Sequence, residues 1–182
     1  IAAQHSSRRN APIYNINLSG QTRSNKDILE FIREELDNHA IDASRICFEI
    51  TETAVIANLS LAIDFIGRMK QMGCMFALDD FGSGLSSFAY LKKLPVDFLK
   101  IDGEFVRDII DDPMDRAIVS AINDIGHEIG LTTVAEYVEN EDILTLLKEL
   151  GVDYAQGYGV DKPKLWRPDN VVPLTAHKSG SA

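Results

Sequence analysis

Short apolar runs and helix-period stretches alternate along this chain. Ile13–Leu18 (IYNINL) reads as a strand. Ser24 then caps a helix reaching about Asn38, with Ile28, Leu29, Ile32 and Leu36 at helical spacing. Ile46–Ile50 (ICFEI) is a second strand, followed by a helix over Leu59–Met72 that stops at Gly73. Met75–Leu78 forms a third strand, a short helix near Ser86–Lys92 follows, and Phe98–Ile101 forms a fourth. Pro113 fits the first turn of a long helix running to Ile129 and closed by Gly130. Thr132–Val134, a helix over Asp142–Leu150 closed by Gly151, and a strand at Tyr154–Gln156 complete the series. The cadence predicts a parallel β/α sheet with six strands. A TIM barrel has eight strands and about 250 residues. The pattern is therefore either a different α/β sheet or a barrel whose first two strands are not in this chain.

Composition narrows the function without naming it. The 182 residues are 45% hydrophobic and 25% charged, enough for one globular domain with a core. A net charge of −10 argues against a nucleic-acid polymer as partner. No apolar run reaches the roughly 18 residues of a membrane span, and no signal peptide opens the chain. Cys47 and Cys74 lie in strand-like runs and read as buried free thiols of a reducing cytosol. From Trp166 to Ala182 the chain turns polar and reads as a partly disordered tail.

The chemistry concentrates where the strands end. Asn17, Glu49 with Glu52, Asp79 with Asp80, Lys100 with Asp102, Glu136 with Glu139, and Gln156 each fall at or just past a strand's C-terminus. In a parallel sheet these ends share one face, which on a barrel carries the active site. Clustered carboxylates stay ionised only beside something positive. Oxygen ligands including an asparagine carbonyl suit Mg²⁺ or Mn²⁺, and two such ions suit phosphoryl displacement. His5, His39, His127 and His177 stand at no strand end, so zinc or a Ser-His-Asp triad is poorly supported. GSGLSS fits neither the dinucleotide fingerprint nor the P-loop. Paired acids also suggest a glycosidase, but the single tryptophan, Trp166, lies in the tail.

Five segments carry a resemblance. INLS at 16–19, FEITET at 48–53, DDFGSGLSSFAYLKKLPVDFLKID at 79–102, VAEYVE at 134–139 and QGY at 156–158 resemble the EAL-domain phosphodiesterases of cyclic di-GMP, in order and with matching gaps. The resemblance implies a modified TIM barrel lacking its first one or two strands here, with the EAL-type domain at 1–165 and the tail at 166–182. It implies hydrolysis of cyclic di-GMP, a bacterial signalling nucleotide, to linear pGpG with two Mg²⁺ or Mn²⁺ ions. By position, Asn17, Glu49 and Asp79 are implied metal ligands, and Asp80 serves the second metal and the attacking water. Glu136 is implied as ligand or general base, and Lys100 as the group orienting water or stabilising phosphate charge. Glu52 anchors the loop after Asp80, Gln156 is a positioning residue, and Glu139 is the second acid of its strand. Asn17, Lys100, Gly82 and Ser83 face the substrate. The resemblance also implies a homodimer, an upstream GGDEF or sensor domain, and a cytoplasmic location, free or as part of a membrane-anchored protein.

Three departures set expectations. The Glu-Ala-Leu segment that names the family is absent upstream of Asn17, which points to an N-terminally incomplete domain with little hydrolysis by itself. The alternative is an inactive cyclic di-GMP receptor or a regulatory dimerisation module. Tyr137 replaces the usual glycine of VAEYVE and is expected to point away along an extended strand. QGYGVDKPKL departs from the usual ending, with altered guanine contacts expected. For Asp79–Asp80, one carboxylate is expected to enter the cluster directly, the second being turned in by the following bend, with Gly82 and Gly84 letting the loop fold over the metals.

Overall fold

The computed structural model describes residues 12–18, 26–82 and 88–162. The expected cap Ser24, the loop residues Ser83 and Gly84, and the tail from Trp166 lie outside them. Six strands form one parallel sheet in strictly sequential order. They are β1 (Tyr14–Asn17), β2 (Ile46–Thr51), β3 (Met75–Phe81), β4 (Phe98–Ile101), β5 (Thr132–Ala135) and β6 (Tyr154–Ala155). The helices are α1 (Lys26–Asn38), α2 (Glu52–Ala57), α3 (Leu59–Gln71), α4 (Gly103–Arg107), α5 (Pro113–Glu128) and α6 (Glu141–Glu149). Sequential order leaves no point where the strand order reverses, which separates this sheet from doubly wound folds. Asn15 on β1 and Tyr154 on β6, at opposite edges, line one cavity of about 350 Å³, so the sheet is curled.

Alternation sorts the strand residues cleanly. Phe48, Ile50, Phe76, Leu78, Leu99 and Ile101 point outward into a core with Ala62, Phe65, Ile66 and Met69 of α3 and Val119 and Ile122 of α5. Cys47, Glu49, Ala77 and Lys100 point to the concave side. A two-residue period with apolar residues outward places every charged strand residue on the concave face or the rim. Cys47 and Cys74 are both free and buried, and burial, then Glu49, pushes the Cys47 thiol up to about 12. Among the described residues, no helix is long and apolar enough to cross a membrane.

Helix stops at Gly73, Gly130 and Gly151 share one geometry, with φ of 95°, 81° and 78°. At each, the glycine N–H and the next N–H donate back to two carbonyls of the last turn, as Gly73 to Lys70 and Cys74 to Met69 do. That closure requires a left-handed residue, which glycine adopts at no steric cost. It sends the chain back to the foot of the next strand. Pro113 opens α5 behind an Asp112 side chain that accepts from the Met114 N–H at 2.7 Å.

Two short elements differ from expectation. Residues 88–93 form turns and a 3₁₀ helix at Leu91–Lys93, not an α-helix. Pro95 disfavours a helical Leu94, which is extended, so the turn closes at Lys93. The helices α2 and α4 are additional, each starting directly at the end of a strand, with five or six residues and no periodicity to betray them.

Candidate metal centre

The two aspartates share one face because β3 is bulged there. Leu78 pairs with Leu99 and Phe81 with Ile101, so Asp79 and Asp80 together stand opposite Lys100. Asp80 takes a φ of 54°, the left-handed region. A bulge with one left-handed residue breaks alternation locally. A bend therefore lies at Asp80 itself. Holding a non-glycine residue there costs of order 1–3 kcal/mol, a strain found preferentially at functional sites.

Lys100 is the hub. Its Nζ lies 2.6 Å from Asp79 Oδ1, 2.7 Å from Glu136 Oε1 and 3.2 Å from Glu49 Oε2. The lysine is 4% exposed, and Glu49 and Asp79 are also buried. Burial alone lowers a lysine's pKa, but the Asp79 and Glu136 carboxylates that its ammonium meets more than reverse that, and the ammonium is held above its ordinary range. Burial, with Asp79 and Asp102 nearby, raises the pKa of Asp80. Burial also raises that of Glu136, which Asp79 and Asp80 push up against the opposing pull of Lys100. One ammonium thus faces four carboxylates.

Asp79 Oδ1 is buried and, apart from its ion pair with the Lys100 ammonium, meets no hydrogen-bond donor among the described residues. Ligand atoms of Asp79, Asp80 and Glu136 all lie within 4.8 Å of one another. An under-satisfied carboxylate oxygen in a triad of acids fits a hard divalent cation. Asn17 ends β1 in register with Glu49, which places its side chain beside the same face of β2.

The loop after Asp80 is tied down by a buried acid. Glu52, 1% exposed, accepts from the Gly82 N–H at 3.1 Å and from the Tyr90 hydroxyl. Gly82 has a φ of 106°, and a Cβ there would meet the Phe105 ring at 2.9 Å, so glycine is needed. Tyr90 escaped the sequence reading because it lies 38 residues from Glu52 with no strand end to mark it.

Gln156 lines the concave cavity with Glu49 and Lys100, and together with Glu139 it also lines a neighbouring cavity with Glu136, Tyr137, Gly157 and Tyr158. Tyr137 corrects an expectation. β5 ends at Ala135, and Tyr137 has a φ of 55° instead of continuing an extended strand. Its ring rests on Gly103, where an added Cβ would lie 2.2 Å from the ring, and the Arg107 guanidinium stands 5.3 Å from its centroid. His127 bonds Asp153, which precedes β6, at the end of the sheet opposite the rim.

A curled, singly wound parallel sheet with an acid cluster on its C-terminal rim defines a TIM-barrel-like protein whose rim acids could hold a metal ion. This chain belongs to the EAL domain family, whose profile matches residues 1–163. It is 42% identical over 149 residues, 82% of its length, to the cyclic di-GMP phosphodiesterase PdeB of Shewanella oneidensis, covering 17% of that protein. It is 37% identical over 158 residues, 87% of its length, to the cyclic di-GMP phosphodiesterase PdeA of Borreliella burgdorferi, covering 24% of it. The chain thus spans about a fifth of the length of these curated relatives. Among solved structures, it is similar to a cyclic di-GMP complex of the PaMucR phosphodiesterase, with a TM-score of 0.80 and 32% identity, covering 89% of this chain and 65% of that one. It also resembles the cyclic di-GMP-bound EAL domain of FimX from Pseudomonas aeruginosa, with a TM-score of 0.79 and 26% identity, covering 83% and 62% of the two chains.

Proposed function

We propose that this domain hydrolyses one phosphodiester bond of cyclic di-GMP, yielding linear pGpG, with two divalent ions, Mg²⁺ or Mn²⁺. The observation that carries the proposal is the bulge presenting Asp79 and Asp80 together against Lys100 and Glu136, in a member of a family whose relatives here are named cyclic di-GMP phosphodiesterases. Asn17, Glu49 and Asp79 would hold one ion, and Asp80 the other with Glu136 alongside. Bound divalent ions supply electrostatic stabilisation of charge on the phosphoryl oxygens.

The protein's own groups do the rest. Glu136, held at 2.7 Å by Lys100, is oriented to accept the proton of the attacking water. Lys100, kept protonated by its acidic neighbours, orients that water and places a positive charge beside the phosphate oxygens. Glu52 fixes the start of the loop through Gly82, and Gly82 and Ser83 would contact the substrate. Gln156 and Glu139 act as positioning residues beside this centre. In the whole protein, a cytoplasmic site, a homodimer and a GGDEF or sensor domain accompany this activity; the relative MucR of Pseudomonas aeruginosa is named as both diguanylate cyclase and phosphodiesterase.

The test uses the intact protein with cyclic di-GMP and Mg²⁺ or Mn²⁺, following pGpG by chromatography. Glu136→Gln should lower turnover by about 10² or more while nucleotide binding persists. Unchanged turnover in that variant would overturn the role of Glu136. Tight binding by the wild type without cleavage would favour a receptor.

A further inference from the structure

The feet of β4 and β6 are built alike. Val96–Asp97 precedes β4, and Val152–Asp153 precedes β6. Asp97 Oδ2 accepts from the Phe76 N–H at 2.9 Å, and Asp153 Oδ2 accepts from the Thr133 N–H at 2.8 Å. Phe76 and Thr133 each stand three residues after a helix-stopping glycine, Gly73 or Gly130. Three residues before the same glycines stand Lys70, 2.6 Å from Asp97 Oδ1, and His127, 2.8 Å from Asp153 Oδ2. Each aspartate therefore ties together a helix, the strand after that helix and the next strand.

The repeat carries through to the rim. Three residues above Phe76 and Asp97 stand Asp79 and Lys100; three above Thr133 and Asp153 stand Glu136 and Gln156. Gln156 thus holds on β6 the place that Lys100 holds on β4, and both line the concave cavity. The short strand depends most on its pin. β6 pairs with β5 only through Tyr154 and Ala155, of which the first is exposed and the second small. The hydrophobic pattern that normally sets register is therefore weak there.

The polar groups around Asp153 are matched donor to acceptor. Asn123 donates to the Leu150 carbonyl at 3.1 Å, which leaves its Oδ1 facing the Thr133 hydroxyl at 2.6 Å. The single hydroxyl proton goes to that oxygen. Asp153 keeps the Thr133 N–H and the His127 ring, whose Nε2 faces a carboxylate and so carries its proton. Burial pushes the Asp153 carboxyl up, yet the Thr133 N–H and His127 hold it below the usual carboxylate range.

We propose that Asp153 is a positioning residue that acts through Gln156: by pinning the foot of β6 to β5, it sets the height at which Gln156 stands beside Glu136. The proposal rests on the hydrolytic reading above, which places Gln156 next to the reacting centre.

The experiment is a double-mutant cycle of Asp153→Ala and Gln156→Ala in the intact protein, with kcat and KM measured for cyclic di-GMP. Asp153→Ala should lower kcat/KM about tenfold in the wild-type background and have no further effect in Gln156→Ala. Equal losses in both backgrounds, the mark of a merely structural role, would overturn the proposal, as would no loss in either. Asp153→Asn keeps an oxygen for the Thr133 N–H and should restore most of the activity. Should Asp153→Ala not fold, His127→Ala removes one arm of the clasp at a partly exposed site. It enters the same cycle, with a loss of about threefold expected in the wild-type background alone. If the wild type does not cleave cyclic di-GMP, the hydrolytic reading fails by itself, and hydrogen exchange then decides the clasp. The Gln156 amide donates to the Ala135 carbonyl at 2.8 Å and should exchange roughly five- to tenfold faster in Asp153→Ala, with the β2 amides unaffected. Unchanged exchange at Gln156 would overturn the proposal.

Discussion

Replacing Lys100 by methionine removes the one cation of the rim cluster while keeping a side chain of similar length. Its Nζ sits within 2.6–3.2 Å of carboxylates from Asp79, Glu136 and Glu49. At an effective dielectric of about 20, each such contact is worth ~5–6 kcal/mol of Coulomb attraction. Desolvating the ions offsets much of that, and breaking a buried pair by removing one partner costs ~3–5 kcal/mol net. The loss is large against the 5–15 kcal/mol typical of a domain. Its sign with pH follows from the neighbours. Asp80 and Glu136 have folded pKa values raised above 3.8 and 4.5, so the stability linked to their protonated forms is complete below those values and lost as pH rises through the raised ones. Without Lys100 that rise grows. The deficit of Lys100→Met should therefore be greatest near pH 7.5 and shrink towards pH 5, and Mg²⁺ should restore part of it by binding the folded state. Urea denaturation at both pH values, in EDTA and in Mg²⁺, measures this. A variant as stable as wild type in EDTA at pH 7.5, or a deficit indifferent to pH, would refute the electrostatic account of this cluster.

Two further substitutions probe the same rim. Asp80→Gly relieves the left-handed backbone and one like-charge contact, so it should stabilise the metal-free fold by ~1 kcal/mol while weakening Mn²⁺ binding in calorimetry; lower stability together with unchanged Mn²⁺ affinity would contradict the bulge argument. Tyr90→Phe removes a donor to the buried Glu52 and should cost about 0.5–1.5 kcal/mol in thermal unfolding, with faster hydrogen exchange at the Gly82 amide. Unchanged exchange there would separate Tyr90 from the loop.

Much of the architecture could be read from local pattern. The repeated helix–glycine–strand units placed strands at Met75, Thr132 and Tyr154 because a left-handed glycine stop is a local event. The apolar runs ICFEI and FLKI placed two more, and the polar residues at their ends marked the rim. Short α2 and α4 stayed hidden, since one or two turns carry no period to detect. The site itself was half legible. Glu49, Asp79, Asp80, Lys100 and Glu136 were identifiable by position, and the structure brings them together.

The tyrosines of the rim, Tyr137 and Tyr158, were not legible, because nothing in the local pattern sets them apart from other exposed aromatic residues. Residue type, period and chain order alone determined a parallel β/α sheet and acids collected at its C-terminal edge, since strand alternation and one-directional crossovers leave few other arrangements. Tertiary structure decided which of those acids meet. The two-against-one bulge opposite Lys100 turned two neighbouring aspartates onto one face, and the Gly103 surface held Tyr137 beside them. Both depend on pairing and contact between segments 20 or more residues apart, where no local pattern in the chain reaches.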